Sequence, residues 1–211
     1  MMFEQPKIVE LLNGLNDNKN ESIKSFDNIV TLNANYNRHF LIGDVDPEVG
    51  EAIETYIRFF NQMDDEAVIP VDERQPIVIF IDSYGGDLGA CFTIVDAIKM
   101  SKTPVYTLNI GSAYSAGFFI FIAGHKKLAY PHSSFLYHEG SAGTSGTAGQ
   151  FENFSAFYKK QLAQLKDHVL KNTGITEEKY KEIQKEDFWM TAEEALALGV
   201  CDEIVTSLEV K

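Results

Sequence analysis

The sequence predicts an α/β domain, and three observations predict it. Two continuous apolar runs, IVIFID (77–82) and VYTLNI (105–110), have the length and composition of strands buried on both faces. Each is followed by glycine or small residues and then by a helical stretch, which carries Cys91, Ile94, Val95 and Ile98 in the first case. Helix-start signals stand where the strands stop. Strand, helix and strand in this order call for a right-handed parallel crossover.

Taken in order, residues 1–27 form a segment apart. NGLNDNKNESIKSFDN (13–28) is polar and rich in asparagine, which favours local turns over long helices, so a flexible N-terminal arm is expected. Residues 28–211 contain no internal repeat and no linker, and are read as one domain. NIVTLN and RHFLIG are short strand candidates. Asp46 and Pro47 then open a helix as N-cap and first helical residue, with Val49, Ile53, Ile57 and Phe60 on its apolar face. A Gly85-Gly86 turn follows IVIFID, and a second helix starts behind VYTLNI. KLAY (127–130) and SFLYH (134–138) are further strands, followed by a glycine-rich ribbon, SAGTSGTAG (141–149). A long helix over 150–172 carries a stripe of Phe151, Phe154, Tyr158, Leu162, Leu165 and Val169. Thr176 and Thr191 cap two more helices, the second with the capping box TAEE and Gly199 as its stop. CDEIV is the last strand.

Composition narrows the function classes. The net charge of −13 over 211 residues excludes the basic footprint that nucleic-acid binding requires, and no nucleic-acid partner is expected. The two cysteines, Cys91 and Cys201, lack metal-ligand spacing and sit among aliphatic residues, as core thiols of a reducing compartment do. The opening MMFEQPKIVELLNGL has no basic n-region or small-residue cleavage site. The longest apolar run, Ala116–Ala123, falls short of the ~20 residues of a membrane span. A soluble, cytoplasmic chain with no membrane partner and no bound metal is expected.

Ligands of parallel α/β folds gather where strands end and helices begin. Two such corners stand out, Gly85-Gly86 and GSAYSAG (111–117). Ser115 would sit at a helix N-terminus, among backbone N–H groups that favour negative charge, which suits a nucleophile whose reaction develops an oxyanion. Read alone, the A-x-S-x-G pattern is a weak signal and fits a small-residue turn better. A serine nucleophile also needs a base and an orienting acid. Of five histidines, His138 ends a strand directly before the glycine ribbon, so its ring can emerge into a cleft. His132 lies in a turn, and His39, His125 and His168 show no partner in the sequence. Among many carboxylates, Asp187 stands before Phe188, Trp189 and Met190, which would hold it against apolar surface; a solvated charge at a helix end is the equally open reading.

IDSYGG (81–86), GSAYSAG (111–117), FLYHEG (135–140) and KEDFWMTAEEALALGVCDEIV (185–205) together resemble the proteolytic subunit of the ATP-dependent Clp protease, in the same order and spacing. The resemblance covers roughly residues 28–205. It implies the Clp protease/crotonase-like fold of repeated β-β-α units, with a protruding strand-helix handle over about 139–172. It implies a serine endopeptidase in which Ser115 is the nucleophile, His138 the base and Asp187 the orienting acid. The oxyanion donors would be the backbone N–H groups of Gly86 and Ala116. An unfolded protein substrate would lie extended between Asp87-Leu88 and Gly140-Ser141, held by main-chain bonds that tolerate many sequences. The partners implied are further copies of the chain, in heptameric rings stacked as a tetradecamer, and an AAA+ unfoldase of Clp type that feeds substrates into the chamber. No G-x-x-x-x-G-K phosphate loop occurs, so ATP would be used by that partner and this chain would need no cofactor.

The chain departs from the family pattern at several places. Tyr84 replaces the proline before Gly-Gly, Glu139-Gly140 replace Gln-Pro after the base, and Glu186 replaces a basic residue involved in ring-to-ring contact. The N-terminal arm is longer than the family's pore loop. Two other classes are weighed against the protease: a non-catalytic ring subunit that scaffolds an active paralogue, and a crotonase-type acyl-CoA enzyme. The complete Ser-His-Asp set speaks against the first. The lack of an adenine or pantetheine site speaks against the second.

Overall fold

The computed structural model describes residues 37–208; the arm at 1–27 and the strand candidate NIVTLN lie outside them. A mixed α/β fold is observed, with a seven-stranded sheet whose strands are mostly parallel. Strand β1 (His39–Val45) leads into α1 (Pro47–Glu66), where the Asp46 carboxylate accepts a hydrogen bond from the Val49 N–H and Pro47 begins the helix. Then come β2 (Ile77–Gly86), α2 (Leu88–Met100), β3 (Val105–Tyr114), α3 (Ala116–Phe121), β4 (Lys126–Ala129) and β5 (Ser134–Tyr137). The remainder is α4 (Ala148–Asn172), α5 (Glu177–Ile183), β6 (Phe188–Thr191), α6 (Ala192–Ala197) and β7 (Glu203–Ile204).

The main path of the sheet runs β1-β2-β3-β4-β7, all parallel. The core lies between this path and α1, α2 and α3, where Ile42, Ile77, Ile79, Ile81, Ile94, Ile98, Phe118 and Phe121 are fully buried. That is why IVIFID and VYTLNI read as unbroken apolar runs. Partway along β3 the neighbour changes: Tyr106–Asn109 pair with β4, whereas Ser112–Tyr114 pair with β5. The change of partner opens the sheet at the C-terminal ends of β2 and β3, where parallel α/β folds hold their sites.

Three elements differ from the sequence-based expectation. Gly85-Gly86 is not a free turn, because β2 continues through both and pairs with Asp44 and Val45 beyond a register shift in β1. Phe188–Thr191, not expected as a strand, forms β6 and runs antiparallel to β5. The glycine-rich ribbon has no strand: residues 138–147 are irregular backbone, and its glycines and small residues offer no side chains to pack. Both threonine-led starts, the capping box of α6 and the stop at Gly199 (φ 64°) are as expected.

Candidate active site

Ser115 joins the end of β3 to the start of α3 with φ 54° and ψ −120°, a backbone region that a residue with a Cβ rarely occupies. Such a conformation costs on the order of 1–3 kcal/mol and persists only where its surroundings enforce it. Here they do. The Ser115 N–H donates to the Leu136 carbonyl at 3.0 Å, and every residue of α3 is buried. The side chain is thereby pushed out at a sharp corner, half-buried, between a strand and a helix.

The adjoining glycines make room for the chain itself. A Cβ on Gly85 (φ 108°) would lie 2.7 Å from the Ser115 Cβ, and one on Gly86 (φ 148°) would lie 2.1 Å from the Val45 carbonyl oxygen. Close approach by the segment that carries Ser115 and by the edge strand is what requires glycine at both positions.

His138 and Asp187 meet through the β5–β6 ladder. Its register pairs Leu136 with Trp189 and Tyr137 with Phe188, so the next step places His138 opposite Asp187. The distance from His138 Nδ1 to Asp187 Oδ1 is 3.6 Å, longer than a hydrogen bond. Asp187 is mostly exposed, so the reading that held it against apolar surface does not apply; its place comes from strand register. The other ring nitrogen, His138 Nε2, is buried and makes no hydrogen bond among the described residues.

Ser115 and His138 line one cleft of about 510 Å³, together with Gly86, Asp87, Leu88, Ala116, Gly140 and Ser141. Every other residue singled out for the oxyanion or the substrate therefore borders the same space. Asp187 alone of the candidates does not line it, reaching it only through His138. The Asp87 carboxylate is committed to capping α2, where it accepts from the Ala90 N–H at 2.8 Å. Sequence reasoning missed the far wall, made by Phe154, Tyr158, Gln161 and Leu165 of α4. The Tyr158 hydroxyl donates to the Glu139 carbonyl at 2.9 Å and ties the segment after His138 to α4. The apolar stripe of α4 held the signal for this wall, since Phe154, Tyr158 and Leu165 belong to it.

The three histidines that showed no partner in the sequence, His39, His125 and His168, have one in the fold. His125 Nδ1 accepts from the Val105 N–H, and His39 packs edge-on against Phe80. His168 Nε2 lies 2.9 Å from the Phe119 carbonyl, joining α4 to α3, and burial lowers its pKa despite that bond. His132 is exposed in a turn, as expected. Behind Ser115, Cys91 donates from Sγ to the Ala116 carbonyl, and burial together with the Asp87 charge pushes its thiol up to about 12. It remains a neutral core thiol.

Comparison with known proteins places the chain among relatives of one kind. The chain is 27% identical to ATP-dependent Clp protease proteolytic subunit 2 of Treponema denticola, over 93% of this chain and 95% of that protein. It is 29% identical to the subunit of the same name from Pseudomonas aeruginosa, over 80% of each chain. Against that of Corynebacterium glutamicum it is 35% identical over 65% of this chain and 70% of the relative. The family model described as Clp protease matches residues 29–208, and the chain belongs to the Clp protease family.

Proposed function

We propose that this chain is a serine endopeptidase subunit acting through Ser115, His138 and Asp187. The observation that carries the proposal is the β5–β6 register, which sets Asp187 against Nδ1 of a histidine that lines the same cleft as Ser115. Ser115 Oγ attacks the peptide carbonyl carbon and its proton passes to His138 Nε2. The C–N bond then breaks as His138 gives that proton to the leaving amine. Water, deprotonated by the same nitrogen, hydrolyses the acyl-enzyme. Asp187 accepts a hydrogen bond from Nδ1–H and keeps the imidazole in the useful tautomer. The backbone N–H groups of Gly86 and Ala116 receive the oxyanion; Ala116 is the first residue of α3, where an N–H has no intrahelical partner. The 3.6 Å separation of His138 and Asp187 closes to a hydrogen bond when substrate binds, as catalytic contacts commonly do.

An unfolded polypeptide lies extended across the cleft, with Asp87-Leu88 on one side and Gly140-Ser141 on the other. Family membership implies assembly and a Clp ATPase in general; we assign stacked heptameric rings with α4 as the handle between them, and an AAA+ unfoldase that spends the ATP. Exposed Phe151 and Phe157 on α4 support a contact with other copies. The buried free thiols Cys91 and Cys201 support a cytoplasmic setting, and the chemistry needs no cofactor in this chain. The experiment is turnover of an internally quenched peptide by wild type and Asp187→Asn at equal assembled mass. Asp187→Asn is expected to lose about 10⁴-fold in kcat, because the imidazole is left in the wrong tautomer. Unchanged turnover would move the acid role elsewhere, to Glu139 first.

A further inference from the structure

Three aromatic side chains next to the candidate active site do not line its cleft. Tyr84 and Tyr114 meet edge to face with ring centroids 5.4 Å apart, and Tyr114 meets Trp189 in the same way at 5.1 Å. Tyr84 is 76% exposed and Trp189 is 55% exposed, so the row presents apolar area to its surroundings. Each member adjoins a different part of the candidate machinery. Tyr84 precedes the glycine that touches Ser115, Tyr114 precedes Ser115 itself, and Trp189 stands two residues beyond Asp187.

Strand register fixes which way the row faces. Tyr114 pairs with Leu136, and Leu136 with Trp189. With a period of two, these residues share a sheet face with His138 and Asp187, whereas Ala113, Phe135 and Met190 point to the core. The row is also held in place: Leu136 is buried between its strand neighbours, and the Tyr114 hydroxyl is 2.7 Å from Ser134 Oγ.

Resting on the endopeptidase reading, we infer that Tyr84, Tyr114 and Trp189 form a subsite on the leaving-group side of the scissile bond. It receives a large apolar side chain in the residue that follows that bond. The direction comes from β2. The cleft is lined by Gly86, Asp87, Leu88 and Gly89, and we assign the acyl half of the peptide to it. Gly85 marks the nucleophile, and Tyr84 is the next residue on the opposite side. A peptide extended along Gly86–Leu88 therefore passes Tyr84 once it has crossed Ser115. Continuity with the cleft makes the occupant the same polypeptide substrate. An aromatic ring from it would extend the edge-to-face series.

The test uses two internally quenched peptides identical except for Phe or Ala after the scissile bond, with the cleavage position read by mass spectrometry. The assembled wild type is expected to favour the Phe peptide about tenfold in kcat/KM. Tyr84→Ala and Trp189→Ala should each reduce that ratio to about twofold, while Trp189→Phe keeps most of it. A wild-type ratio near one, with Ser115 labelled normally by a fluorophosphonate, would overturn this inference and leave the endopeptidase reading intact. An equal fall on both peptides would overturn it in favour of a structural role. Loss of assembled mass in Tyr84→Ala would overturn it in favour of a surface between copies. A wild type that neither cleaves nor labels would overturn the subsite together with the reading on which it rests.

Discussion

On one wall of the cleft, Ser115, His138 and Asp187 hang from strands whose neighbours are fixed residue by residue. On the other, residues 139–147 and the first four turns of α4 contain no buried side chain, and burial begins only at Leu165. Both walls belong to one chain of ordinary composition, so the difference lies in what each packs against. The first wall is completed by β2, β3, β5 and β6 and by the fully buried α3. The second is tied across near the site by the Tyr158 hydroxyl, which donates to the Glu139 carbonyl, and its Phe151 and Phe157 are exposed. One wall is specified by the subunit alone. The other leaves its apolar surface for something outside the subunit.

Substitutions on the two walls should therefore fail in different ways. The larger effect belongs to Gly85→Ala. A Cβ there would press on the Ser115 Cβ at 2.7 Å from a backbone position with φ 108°, so Ser115 must shift. About a 100-fold loss of kcat/KM with unchanged assembled mass is expected, because a displacement on the order of 1 Å is enough to spoil attack geometry. Full activity in Gly85→Ala would mean that the elbow has slack the structure does not suggest. The smaller effect on the subunit itself belongs to Phe151→Asp combined with Phe157→Asp. Both side chains are more than half exposed, so unfolding stability should change by no more than about 0.5 kcal/mol per site. Native mass spectrometry should nonetheless show a smaller assembly. Unaltered mass would remove α4 from the contact between copies and blur the contrast between the walls.

The same division explains what the sequence revealed. The parallel strands, the helix starts at Asp46-Pro47 and Thr191, and the corner at Ser115 were legible because each follows from local pattern: apolar runs, caps and small residues. The position of Asp187 was not. FWMT is only four residues long and follows a short helix, and its strand character depends on pairing with β5, which is a tertiary fact. Met190 buried beside exposed Trp189 and Thr191 shows the period of two, but over too few residues to separate strand from loop. Gly85 and Gly86 were legible as special, but the groups they admit, Ser115 and Val45, are distant in sequence and were not. The ribbon after His138 was read as a strand through family resemblance, whereas its glycines and its lack of a ladder leave it irregular within the subunit.

The central claim is that the strained corner at residue 115 presents an activated serine to His138. The most direct measurement is fluorophosphonate labelling of the assembled protein, wild type beside Ser115→Ala, with intact mass and native mass recorded on the same samples. The account predicts one label per wild-type chain and none in Ser115→Ala, at equal assembled mass. Fully assembled wild type that takes no label, or a Ser115→Ala variant labelled as readily as wild type, would contradict it.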